Sequence, residues 1–305
     1  METIQPTHVF AVQDFKLRLS SGQCIHALYN KITNQQTGIL PMHSVHAQSR
    51  NSQIRSPVLI SPIKAYLHTP LVCRVHDLIA HSMRPLFMRA QQQNMPIHIH
   101  LPDANSPQAR ILNEKTLRVF FHDYYANTTL IFTHGDYLAE LIKLSKQITA
   151  CISGAIDCQT DIETLKQRAI TKNIMTIQND DYPAAGEGAV FLHLNQKQTP
   201  RTTLRLLTKS TNHPPLKPQN IIYPMLRNRK ATQHLLKLER CFKSEQHTPA
   251  WISPENMCGS LGAATMPTCI LLAYVDALKN QHSAQGLCFD EQEHAGLVSI
   301  EDHDE

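Results

Sequence analysis

Glycine is what this sequence most conspicuously lacks. Only 10 of its 305 residues are glycine, against 18 prolines, which is about half the usual share. Folds that cradle phosphates or close crowded catalytic turns depend on glycine for left-handed backbone and close approach. A chain this poor in it either has no need of such loops or has lost some of them. Aromatic residues are also sparse, with one Trp, eight Tyr and nine Phe. Eight cysteines stand at 24, 73, 151, 158, 241, 258, 269 and 288 with no C-x-x-C pair, which disfavours a zinc ribbon or a thioredoxin-type redox site. They read as reduced thiols, mostly small core residues. No Lys/Arg block is long enough for a nucleic-acid footprint; the densest, Arg227-Asn228-Arg229-Lys230, reads as a solvated helix face. The first twenty residues carry Gln13, Asp14, Lys16 and Arg18 without an apolar run, so no export signal is expected. The longest apolar stretch, Ile270 to Val275, is broken by Asp276 and is too short for a membrane span. The expectation is a soluble, cytoplasmic protein with no nucleic-acid partner.

What is present suffices for a core: 42% of residues are hydrophobic, and the formal charge is only +4. The length suits two units of about 150 residues or one larger fold. His8 to Val12 reads as a first buried strand, and residues 21–33 carry Cys24, Ile25, Leu28 and Ile32 at helical spacing with Gly38 beyond. Residues 42–57, rich in Ser, His, Gln, Asn and Arg, read as an exposed loop. A helix period runs across roughly 63–93, bent at Pro85. Pro96 to Pro102 alternates with period two, placing His98 and His100 on one face of a strand. With no acidic or thiol partner nearby, that pair is not assigned a metal. Nothing in the sequence calls for a cofactor.

A unit then appears twice. Thr129 to Thr133 is a strand, His134 to Gln147 a helix, Ile148 to Ile156 a second strand, and Gly186 to Leu194 a third. Later, Gly262-Ala263-Ala264 opens a long apolar helix through Leu278, followed by strands at Gly286 to Asp290 and Ala295 to Ile300. The repeated order of helix, strand and strand indicates a duplicated α/β unit with mixed sheets.

These segments resemble the β-ketoacyl synthases of the thiolase-like superfamily. Ala185-Gly186-Glu187-Gly188-Ala189 is similar to the family's G-E-G-A strand, and Ile152-Ser153-Gly154-Ala155-Ile156-Asp157 to its small-residue turn with an acidic residue. Cys258-Gly259-Ser260-Leu261-Gly262-Ala263-Ala264 is similar to the stretch that opens a buried helix. The resemblance implies an α/β, thiolase-like fold of two pseudo-duplicated halves with mixed sheets and buried central helices. Those halves would be 1–198 and a shortened 199–305. It also implies substrate contacts at Gly154, Gly186, Gly188 and Gly259.

The family's condensation needs a Cys nucleophile at a helix start and two polar groups that hold the thioester carbonyl. Here that helix start reads Phe132-Thr133-His134-Gly135-Asp136 with no thiol, and Cys151 and Cys158 read as core or turn thiols. The counterpart of the first catalytic His is His213, followed by prolines instead of glycine and threonine. At the second, Gly259 takes the place of His, with Ser260 beside it. Condensation is therefore not expected. The resemblance instead implies a degenerate partner subunit of fatty-acid or polyketide-type metabolism. It would form a homodimer or a heterodimer with an active ketosynthase through a strand near Thr128 to Thr133, and would bind an acyl carrier protein through residues such as Arg227, Arg229 and Lys230. The alternative is an acyl-thioester enzyme with a rewired site, in which His134, Asp136, His213 and Ser260 do acid–base work such as decarboxylation or hydrolysis.

Overall fold

A computed structural model describes residues 8–48, 54–178, 182–196, 202–207, 220–224, 249–279, 285–290 and 294–300, together with 233, 236 and 240. The chain opens with β1 (His8–Leu19), α1 (Ile25–Thr33), β2 (Leu40–Gln48) and β3 (Arg55–Ser61). Next come α2 (Leu71–Asp77), α3 (Arg84–Gln92), β4 (Ile97–His100), α4 (Glu114–Tyr124), β5 (Leu130–Thr133) and α5 (Tyr137–Ser145). β6 (Ala150–Cys158), α6 (Ile162–Ile170), β7 (Ala185–Asn195), β8 (Thr202–Leu207), β9 (Asn220–Ile222) and β10 (Ala250–Ile252) follow. The last elements are α7 (Thr265–Lys279), β11 (Gln285–Phe289) and β12 (Ala295–Ile300).

Ten strands lie in the order β10-β9-β11-β12-β8-β1-β7-β6-β4-β5. Read inward from either edge, the pairings are the same: parallel, parallel, antiparallel, antiparallel. The two runs meet at the antiparallel β1–β8 pair. The duplication read from the sequence is thus a property of the sheet, and the chain crosses its dyad between β7 and β8.

Side-chain alternation explains the layers. Along β6, Cys151 and Ala155 face one apolar cluster while Ile152, Ile156 and Cys158 face another, as a strand buried on both sides requires. The first cluster holds the central helices: Leu138 and Leu141 of α5 with Ile270, Leu271 and Val275 of α7. The second holds the outer helices, including Val75 of α2, Phe87 of α3 and Phe121 of α4. Glu187 of the G-E-G-A strand anchors this outer layer. Its carboxylate accepts from Arg74 Nη1 at 2.7 Å and from the Ile63 N–H at 2.6 Å.

Three expectations are corrected. The stretch 42–57 is largely a hairpin of β2 and β3 and not a loop: Val45, Ala47, Val58 and Ile60 form a small core with Leu165 of α6, Ile174, and Ala185 of β7. The helical run 63–93 is two helices joined by a wide turn at Leu78–Ser82, and Pro85 starts the second one instead of bending one long helix. β1 runs to Leu19, seven residues beyond the expected Val12.

Candidate functional site

A cavity of about 890 Å³ opens where both central helices begin and where β4, β6, β9 and β11 end. His134, Gly135 and Asp136 line it from the start of α5, and Ser260, Gly262 and Ala263 from the approach to α7. Asp157, Gln159 and Asp290 line it from the carboxyl ends of β6 and β11. Ligand sites of open α/β sheets concentrate at such strand ends.

Beneath it runs a buried polar chain whose protons have one consistent direction. His100 Nε2 lies 3.1 Å from the Gly135 carbonyl and must donate to it, so His100 Nδ1 accepts from Thr133 Oγ1 at 3.1 Å. Thr133 then has no second proton, so His98 Nε2 donates to it at 2.7 Å. His98 Nδ1 in turn accepts from Ser153 Oγ at 2.7 Å, and Ser153 accepts from the Tyr137 hydroxyl at 2.8 Å. Burial, with repulsion from His100, depresses His98 to about 3. Burial, partly offset by the Gly135 carbonyl, depresses His100 to about 4. Both imidazoles are neutral, and each ring nitrogen is used. This accounts for the His98/His100 pair without a metal: the two rings fasten β4 to β5, β6 and the Gly135 turn.

Asp157 is fully buried at the cavity wall. Its Oδ2 accepts from the Ala263 N–H at 2.9 Å, and its Oδ1 accepts from the Cys158 N–H at 2.8 Å and from Gln108 Nε2 at 3.1 Å. Burial raises its carboxyl to about 6 despite these donors. Gly262 makes the contact possible. Its φ is +50°, and a Cβ there would stand 1.9 Å from Asp157 Oδ2.

Asp136 caps α5, its Oδ1 accepting from the Ala139 N–H at 3.1 Å. Its Oδ2 lies 3.2 Å from Nδ1 of His294, and that nitrogen is 3.0 Å from Asp290 Oδ2. Asp290 and His294 are further joined by the His294 N–H donating to Asp290 Oδ1 at 2.8 Å.

The residues singled out from sequence divide cleanly. His134, Asp136 and Ser260 are brought together on one cavity, whereas His213 lies outside the described residues. His134 is held by its Nδ1, 3.1 Å from the Pro102 carbonyl, which it reaches as a donor. Gly154 and Gly186 lie in strands away from the cavity lining: a Cβ on them would meet backbone oxygens of Val190 and Cys258 at 2.0 and 2.1 Å. Gly188 and Gly259 likewise abut neighbouring chain, at Leu19 and Ala184. The residues not flagged as functional are Asp157, Asp290 and His294. Asp157 carried a visible signal as the acidic end of the small-residue strand; Asp290 and His294 did not. No cysteine among the described residues lines the cavity. Burial pushes Cys151 up to about 12 and Cys158 well above the usual thiol range, so both are neutral core thiols.

No protein-family model matches the chain, and no curated protein matches it in sequence. Its structure is similar to the ketosynthase from module 6 of the bacillaene synthase of Bacillus subtilis 168. The TM-score is 0.65 at 8% identity, over 95% of this chain and 71% of that one. It is similar to the ketosynthase ApeO in complex with its chain length factor ApeC from Xenorhabdus doucetiae, with a TM-score of 0.62 at 10% identity, over 99% of this chain and 100% of that one. The ishigamide ketosynthase/chain length factor gives 0.58 at 10% identity, over 95% and 98% of the two chains. The class is therefore settled at the level of architecture: a mixed α/β, thiolase-like fold. That fold is the one these solved ketosynthase structures share with it. Among the described residues no helix is long and apolar enough to cross a membrane.

Proposed function

We propose that this protein is a ketosynthase-fold partner subunit that does not condense. It binds acyl groups or an acyl carrier protein beside an active ketosynthase of fatty-acid or polyketide-type metabolism in the cytoplasm, with 1–198 and 199–305 as its two halves. One observation carries the reading. At the starts of both central helices, backbone donors are taken by the chain's own carboxylates: the Ala139 N–H by Asp136 and the Ala263 N–H by Asp157. A thiolate or an oxyanion gains from a helix start by its free N–H groups and positive dipole. Here a carboxylate already takes one such N–H at each start, and the cavity has no thiol to acylate among the described residues.

The edge strand β5 supports a pairing role. Within the described residues it pairs only with β4, and all four of its residues are half-buried, leaving one side of its backbone for another strand. The solved ApeO–ApeC pair is a ketosynthase with its chain length factor, and the same kind of pairing is the arrangement proposed for this chain.

The test is intact-protein mass after incubation with a malonyl or acyl carrier-protein thioester, run beside native mass with a co-expressed ketosynthase. The expected result is no covalent adduct and a stable pair. An acyl adduct abolished by Cys151→Ala, or a chain that stays monomeric, overturns the proposal.

A further inference from the structure

The cluster at the cavity wall that joins the two halves has a geometry beyond ordinary packing. Asp136 comes from the start of α5 in the first half; in the second, Asp290 directly follows β11 and His294 directly precedes β12. Each carboxylate has one oxygen fixed by backbone: Asp136 Oδ1 by the Ala139 N–H at 3.1 Å, Asp290 Oδ1 by the His294 N–H at 2.8 Å. The other oxygen of each, Oδ2, converges with the imidazole Nδ1, and the three atoms all lie within 4.8 Å of one another. The Asp290 N–H also donates to the His294 carbonyl at 3.0 Å, a second bond between the backbones of the two ligands. Anchoring of one carboxylate oxygen while the other is presented is how outer contacts orient metal ligands.

We propose that Asp136, Asp290 and His294 form a site for a first-row divalent cation, with its open coordination positions facing the cavity. The spacing fits. Ligands about 2.1 Å from a common ion stand about 3.0 Å apart at right angles and about 3.4 Å apart at the tetrahedral angle. The Nδ1 contacts here are 3.0 and 3.2 Å. One cation can meet the imidazole nitrogen and both carboxylate oxygens together. The donor set of one nitrogen and two carboxylate oxygens, without thiolate, suits Zn(II), Mn(II) or Fe(II) and not a soft ion. Asp136 and Asp290 both line the cavity, so three protein ligands leave room for water or for an oxygen of a bound carbonyl or carboxylate. Asp136 is 158 positions from His294, so chain order alone does not bring the three ligands together. The site stands whether or not the protein pairs with a synthase.

The experiment uses the full chain, stripped with a chelator and titrated with Zn(II) by calorimetry. The expected result is one ion per chain, with affinity reduced at least about tenfold by His294→Gln and by Asp290→Asn. Asp136→Asn keeps a side chain that caps a helix equally well, so it removes a ligand charge without unfolding α5 and should weaken binding similarly. His122→Ala, at an exposed position, should bind as the wild type does. Zn(II) should raise the thermal midpoint of the wild type and leave that of the three ligand variants unmoved. Absence of saturable binding in the wild type, or ligand variants that bind as tightly, overturns the proposal.

Discussion

The two central helices occupy matching places in the duplicated sheet, yet their starts are secured differently. α5 is capped by Asp136, the residue just before it. At the approach to α7, the Ala263 N–H is instead held by Asp157, from the end of β6 in the other half. The matching strand end of the second half, Asp290 after β11, is linked to the start of α5 through His294. Each half therefore sends a carboxylate across the dyad, one by a direct bond and one through an imidazole. A local cap lets a helix start form with its own segment, whereas a borrowed cap makes the second half depend on the first.

That difference can be broken by paired substitutions. Asp157→Ala leaves the Ala263 and Cys158 N–H groups and the Gln108 amide without their buried acceptor, and should cost about 3 kcal/mol of stability in urea unfolding. Asp290→Ala should cost about 1 kcal/mol, because α5 keeps its own cap. Equal losses would show that the two contacts across the dyad are equivalent and sink the comparison. Gly262→Ala should resemble Asp157→Ala, since the added methyl would displace the Asp157 carboxylate.

Acid provides a second way to separate the halves. His98 and His100 titrate at about 3 and about 4 in the fold, below the ordinary imidazole value of about 6.5. Between pH 4 and 6 the unfolded chain thus binds about two more protons at these rings, and stability falls as pH is lowered. Asp157 has the opposite sign. Its raised pKa of about 6 means that the fold binds one proton more than the unfolded chain over that window. The net loss from these three groups is about one proton, or roughly 1.4 kcal/mol per pH unit. His98→Asn should flatten the slope measured by denaturation at several pH values; a slope left unchanged would remove the buried chain from the account. The smallest effect should come from Lys166→Ala. It opens an exposed pair with Glu163 and should change stability by no more than about 0.5 kcal/mol, which sets the floor for the larger differences.

Much of this architecture was legible in the sequence because its signals are local. The apolar run of α7, the helical spacing of Leu138, Leu141 and Ile142, and the strand from Ala185 all appear as read. The β2–β3 hairpin was hidden because only Val45 and Ala47 of β2 are buried, and its polar face resembles a loop. β1 extends past Val12 because Phe15, Leu17 and Leu19 alternate with Asp14, Lys16 and Arg18, a pattern whose charged positions mask the strand in an apolar-run reading. The site was legible in part. His134, Asp136 and Ser260 could be found from their places at helix starts. His294 could not, because its partner Asp136 is 158 positions away and its own strand gives no sign of chemistry.

A sheet whose order reads the same from both ends has two related edges, β5 and β10. If β5 of one copy pairs with β5 of another about a two-fold axis, the same edge of each chain is used and that interface closes at two chains. Pairing of β5 with β10 of the next copy would instead be head-to-tail and would propagate as a filament. β10 is only three residues long, too short a ladder to hold such an addition firmly. Among the described residues, the duplication thus gives two unlike edges, of which the three-residue β10 offers the shorter ladder to a second chain.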